Sequence, residues 1–258
     1  MLALRAYKRS RRVSSALLAG FLLSGPIQAA PVVTYTFDFT GTPVNTPTTT
    51  AGNEWIFADG FDGSQLATVT AWAEVGAGTL EKALGHQLTD DLGQGLGVCN
   101  SLETNCLAKE NVRGITESNG KDWILIMFSS TVNLSDFTVA PDTGSKDKAQ
   151  FRDVTYYTGS LTSSDDLLGK TYAELTGTLG LTENTVINGK SMANATVDIN
   201  LEAGGEVWGN AILIGGTVGG AADRILLNGM TTVVPIPAAV WLFISGLGVL
   251  AGMRKVSR

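Results

Sequence analysis

Asn119-Gly120-Lys121-Asp122-Trp123-Ile124-Leu125-Ile126-Met127-Phe128 is the stretch that decides the fold. Asn-Gly signals a turn, and from Trp123 to Phe128 every residue is apolar. The run is too short for a domain helix and has no apolar neighbours to lengthen it, so it reads as the most buried strand. Successive strand residues face opposite ways, which assigns Trp123, Leu125 and Met127 to one face and Ile124, Ile126 and Phe128 to the other. A strand apolar on both faces must be covered on both. One side is expected to form the core between two sheets, and the other to lie under a loop or short helix, with 80–88 the expected cover. Val132-Asn133-Leu134-Ser135-Asp136-Phe137-Thr138-Val139 follows Ser129-Ser130-Thr131, which reads as a turn, so a hairpin is expected.

The same grammar extends outward. Val33, Tyr35, Phe37 and Phe39 alternate with Thr34, Thr36 and Asp38, and 67–74 alternates as well. Further strands are expected at 151–158, 195–201, 207–214 and 224–227, and short helices only at 80–88 and 165–175. The chain has 31 Gly, concentrated with Asn, Asp and Thr in the connections. The class is all-β, and the architecture expected is a β-sandwich of jelly-roll type, one domain over 30–232. It lies between an N-terminal signal helix and a C-terminal transmembrane helix.

Residues 1–29 have the three regions of a signal peptide: basic residues at Arg5, Lys8, Arg9, Arg11 and Arg12, an apolar stretch over 13–23, and small residues for cleavage at Ala29 and Ala30. Cleavage after Ala29 is preferred, because a cut after Ala30 leaves Pro31 first. Five of the 18 Lys and Arg lie in this leader and three in the last residues, so ten remain in the body against all 24 Asp and Glu, a formal charge of −14. Basic ends on two apolar segments place both ends in the cytoplasm and the acidic body outside. A body of this sign does not suit nucleic acid.

The tail, 233–258, has a Pro-x-Pro step, a charge-free run over 238–253 and a basic end. As a helix the run spans about 24 Å at roughly 1.5 Å per residue. Val234-Pro235-Ile236-Pro237-Ala238-Ala239-Val240-Trp241-Leu242-Phe243-Ile244-Ser245-Gly246-Leu247, followed by Gly248, Leu250, Gly252 and Arg254-Lys255, resembles a PEP-CTERM sorting signal of the V-P-L-P-A variant. The resemblance covers about a tenth of the chain. The founding motif has Glu between the prolines, where this chain has Ile236, a departure that bears on the exosortase subtype. It implies a bacterial protein exported through its leader, held in the inner membrane on the periplasmic side by the C-terminal helix, and processed by an exosortase before reaching the cell surface or an exopolysaccharide matrix. Gly93-Gln94-Gly95-Leu96-Gly97-Val98-Cys99 and 119–128 look, more loosely, like the bodies of such surface proteins.

Chemistry-bearing residues are sparse. The two cysteines, Cys99 and Cys106, are expected to pair in an exported chain. His86 is the sole histidine, sits without a nucleophile elbow, and reads as a surface or turn residue. Asp90-Asp91 and Asp165-Asp166 are adjacent pairs in turn contexts, where Asp caps backbone donors. No catalytic residue is expected. No cofactor is required, and calcium is the one that loops rich in Asp and Asn could hold, with Asp90, Asp91, Asn100, Asn119 and Asp122 the candidates. The Gly93–Gly97 run lacks the G-K-[ST] of a phosphate loop and reads as a turn or bulge. Trp55, Trp72 and Trp208 are candidates for an exposed sugar platform, Trp72 the best of them because Thr70 and Glu74 share its face. The expected role is non-enzymatic, structural or adhesive, in contact with exopolysaccharide; the alternative is a displayed carbohydrate-active hydrolase.

Overall fold

The computed structural model describes residues 32–74, 78–90, 93–101, 115, 121–141, 153–187, 196–216, 225–235 and 243. Among these residues twelve strands run in order: β1 Val32–Asp38, β2 Glu54–Ala58, β3 Leu66–Glu74, β4 Leu80–Lys82, β5 Leu84–Asp90, β6 Gly93–Cys99, β7 Lys121–Pro141, β8 Asp153–Gly159, β9 Thr182–Ile187, β10 Val197–Asn200, β11 Trp208–Gly216 and β12 Ile225–Pro235. The helical pieces are a 3-10 turn at Ser164–Leu167, helix α1 at Tyr172–Gly177, and a 3-10 turn at Glu202–Gly204. Every strand pairing is antiparallel.

The apolar run does form the central strand, but no hairpin follows it. β7 is one strand of 21 residues. Its first half pairs with β3 and β11, and its second half with β12 and β10. Met127 and Val132 pair with Ala211 and Gly209, so Phe128–Thr131 bulge out opposite a single residue, Asn210. A bulge of this kind bends a strand sharply. Ser129, Ser130 and Thr131 are exposed at the bend and carry no Gly or Asn to reverse the chain. A second irregularity leaves Ser135 without a β12 partner. It resets the alternation, so that Val132, Leu134, Phe137 and Val139 are all buried on one face.

The bend turns one continuous sheet into two facing layers. The first holds β2 and β4 beside β3, then the first half of β7, β11, β8 and β9; the second holds β5, β6 and β1 beside β12, then the second half of β7, and β10. Aromatic pairs cross the gap. Phe37 meets Phe128 at 5.3 Å between ring centroids, Phe39 meets Phe57 at 5.1 Å, and Phe137 meets Tyr156 edge-on at 5.6 Å. Ile124, Ile126 and Phe128 point into this core, as the period of two requires.

Trp123, Leu125 and Met127 point the other way, into a second core on the outer face of the first layer. Its cover is not 80–88, which is strand: Leu84–Asp90 pairs with Gly93–Cys99. Residues 160–181 fold back instead over the sheet and bury Leu161, Leu167, Leu175 and Leu181. Only Leu80 of the expected cover joins this core, stitching β4 to the strap through Leu80 N to Lys170 O (2.8 Å) and Gly169 N to Leu80 O (2.9 Å). Asp166 Oδ2 accepts from Thr162 N and Ser163 N, and Glu174 Oε2 from Thr171 N, which caps both short helical pieces. Trp123 Nε1 donates to Tyr172 Oη at 3.0 Å, and Gly215 lies across from the Trp123 ring, where a Cβ would stand 2.3 Å from it. Among the described residues no helix is long and apolar enough to cross a membrane; the leader and the run over 238–253, Phe243 aside, lie outside them.

Candidate functional site

Alternation along β8 and β9 sends Tyr157 outward to the second core and Tyr156 and Thr158 inward. The register pairs Tyr156 with Asn184 and Thr158 with Thr182, so these four share one face. Opposite them stand Asn200, Leu201, the 3-10 turn after β10, and the approach to β11. Between the two walls is an open cleft of about 820 Å³, at whose rim lies Trp208. That volume falls within the roughly 300–1,000 Å³ usual for small-ligand sites.

The second wall is fixed by one buried amide. Asn133 is 5% exposed; its Nδ2 donates to Glu202 Oε1 at 2.6 Å, and its Oδ1 accepts from Val207 N at 3.0 Å. Asn200 Oδ1 accepts from Glu202 N at 2.7 Å, and Leu201 N donates to Ser135 O, the carbonyl of the irregularity in β7. The closed end depends on glycine: a Cβ on Gly209 would stand 2.1 Å from Gly159 O.

Trp208 is 44% exposed at the start of β11, and its Nε1 donates to Glu206 Oε2 at 3.0 Å. The bond holds the indole in place with its ring at the cleft. Around it the lining offers amides, hydroxyls and backbone groups, and among the described residues Glu206 is its one carboxylate and no Lys, Arg or His lines it. Burial pushes the Tyr156 phenol up, so it stays neutral. A flat ring beside convergent neutral donors and acceptors suits a ligand with an apolar face and a polar rim.

The other sequence candidates lie elsewhere. Trp72, the expected platform, is fully buried: the strap covers its face, and its Nε1 donates to Thr70 Oγ1 at 2.9 Å. Trp55 is half-buried against the inter-sheet core. His86 is not a surface residue but is buried in β5, whose edge pairs with β6. The Gly93–Gly97 run is strand rather than turn; Gly95, at φ 128°, brings its backbone against β12, where a Cβ would stand 2.6 Å from Leu227 O. Asp165, in a turn as expected, pairs with Lys82 at 2.6 Å. Of the calcium candidates, Asn100 and Asp122 are brought together and buried, Asn100 Nδ2 donating to Asp122 Oδ1 at 2.9 Å. Asp90 lies at the end of β5, and Asp91 and Asn119 lie outside the described residues. No group of three or more His, Cys, Asp or Glu able to hold a metal occurs among the described residues. Cys99 is buried at the end of β6 and is not a free thiol; Cys106 lies outside the described residues.

Val234 and Pro235 of the tail motif belong to β12, so the sheet runs three residues past Thr232, and they pair with Val33 and Val32. Ala29, Ala30, Ile236, Pro237, Ala238, Trp241, Arg254 and Lys255 lie outside the described residues.

No protein-family model matches the chain, and no curated protein matches it in sequence. Among solved structures, the chain is similar to the family 32 carbohydrate-binding module of C. perfringens NanJ, solved in complex with galactose. The TM-score is 0.28 at 8% identity, over 65% of this chain and 93% of that one. At that level the cleft, not the likeness, has to carry a functional reading.

Proposed function

We propose that this is an exported, non-catalytic glycan-binding protein, tethered in the membrane before exosortase processing and then held at the cell surface or in the extracellular matrix, whose β-sandwich holds exopolysaccharide in the Trp208 cleft. The observation that carries the reading is the exposed indole, fixed by Glu206, facing a wall of amides and hydroxyls. Glycoside hydrolysis uses two carboxyl groups about 5–9.5 Å apart across the scissile bond. Among the described residues the cleft lining supplies one, Glu206, which favours holding a glycan over cutting it.

The ends fit a tether. β1 begins at Val32, close after the preferred cleavage at Ala29, and pairs with β12 up to Pro235. The described strand ends, Val32 and Pro235, therefore lie side by side, and in the sequence the apolar run starts three residues past β12. Exosortase processing near 234–238 and a Cys99–Cys106 disulfide belong to the same reading.

The test is retention of the full chain on polysaccharide extracted from the cells that make it. Wild-type protein is expected to be retained and Trp208→Ala to be lost; equal retention of both removes the cleft from the account. Mass spectrometry of the cell-surface form should find a C-terminus shorter than Arg258. Intact protein through Arg258 would leave a plain anchor.

A further inference from the structure

We infer that the cleft selects uncharged glycan chains and rejects acidic ones, so that the polymer it binds is a neutral hexose or pentose polysaccharide and not a uronate or a sulfated or pyruvylated chain. The inference rests on the glycan-binding reading and adds the ligand class.

It follows from the charges at the mouth. Trp208 is where a sugar ring would stack, and Glu206 stands on the same side of the chain two residues earlier, hydrogen-bonded to the indole through Oε2. A ring seated on Trp208 therefore lies beside a carboxylate. Its remaining oxygen, Oε1, can accept from a sugar hydroxyl, an interaction that a charged acceptor makes stronger than a neutral one. The same oxygen repels a sugar carboxylate or sulfate. Anion recognition elsewhere in proteins relies on Arg, Lys or helix N-termini. Among the described residues this lining has no Lys, Arg or His, and its remaining polar side chains are Asn, Thr, Ser and Tyr. The adjoining 3-10 turn adds Glu202, whose Oε1 is taken by Asn133. The surrounding body, at −14, repels polyanions at long range before contact. A polyanion would have to enter the cleft against both fields, with no cation among the described lining residues to receive it.

Affinity electrophoresis tests this on the full chain in a polyoxyethylene detergent, which carries no sugar headgroup, at 150 mM salt to screen the long-range repulsion. Separate gels contain hydroxyethylcellulose, mannan or galactan as neutral probes, and alginate or polygalacturonate as acidic ones. The expected result is retardation in at least one neutral gel and none in the acidic gels. Affinity should fall about tenfold or more in Trp208→Ala, the size of loss usual for a central aromatic contact. Trp208→Phe, which keeps a ring but loses the N–H bond to Glu206, should recover most of it, which a merely misfolded site would not. Trp208-dependent retardation in the acidic gels, as strong as in the neutral ones, would overturn the selectivity and leave the glycan-binding reading standing. Absence of Trp208-dependent retardation in every gel would overturn that reading, and this inference with it.

Discussion

Tyr156 and Tyr157 are neighbours on β8, yet Tyr157 lies under the protein's own chain and Tyr156 lines an open cleft. The outer face is sealed because the segment after β8 returns over it, placing Leu161, Leu167, Leu175 and Leu181 on Trp72, Trp123 and Leu125. The inner face is sealed only as far as the second layer reaches. β10 is that layer's last described strand, and beyond it the inner side chains of β8 and β9 look across a gap to the turn at Glu202–Gly204. One face is closed by leucines for stability, and the other is left with amides, threonines and an indole at its rim. Burial explains the first; the second is where the proposed ligand would sit, beside the exposed Trp208.

The largest effects should come from the sealed regions. Trp123→Ala is expected to cost about 3–5 kcal/mol and Ile126→Ala about 2–5, since each is fully buried, one in each core. Urea unfolding of the full chain measures both. A small loss at Trp123 beside a large one at Ile126 would mean the strap is an ornament on the sandwich rather than a second core.

Alkaline pH should distinguish the two regions as well. The Tyr172 phenol is pushed up first by burial and then by its hydrogen bond to Glu74, and Tyr157 by burial and Glu183. A raised folded-state value means the unfolded chain gives up its protons first. Stability is therefore full below the ordinary tyrosine value of about 10 and falls as pH rises above it. Tyr172→Phe should flatten that fall without abolishing it, since Tyr157 remains. An unchanged alkaline slope in Tyr172→Phe would place the phenol in water rather than under the sheet.

The smallest effect on stability is expected at the cleft. Trp208→Ala should shift unfolding by no more than about 0.5 kcal/mol, as at an ordinary surface position, while its effect on binding is large. A loss comparable with that of Trp123→Ala would make Trp208 a packing residue.

Much of the fold was legible in local pattern. The period of two placed Trp123 and Ile124 on opposite faces, and the structure puts them in different cores. The continuity of β7 was less legible: Ser129-Ser130-Thr131 reads as a turn, but it has no Gly or Asn to reverse the chain, and the strand bends there instead. The candidate site was less legible, and the tryptophans show why. Trp72 has Glu74 two residues on and Trp208 has Glu206 two residues back, the same outward-face signature. Glu74 is nonetheless drawn inward by Lys121 at 3.1 Å, and the strap arrives from about ninety residues away to bury Trp72. Nothing near Trp72 announces that. Likewise Asn184, Asn200 and Glu206 converge on the cleft from β9, β10 and the segment before β11, and no local motif links them.

Of the described tryptophans, Trp208 is the one proposed to meet the glycan. The chain has five tryptophans, so uniform 5-fluorotryptophan labelling gives at most five fluorine resonances, with Trp208→Phe assigning one. Titration with a retained neutral polysaccharide should shift or broaden the Trp208 resonance and leave those of Trp72 and Trp123 in place. Saturating binding with the Trp208 resonance unmoved would put the glycan elsewhere on the protein.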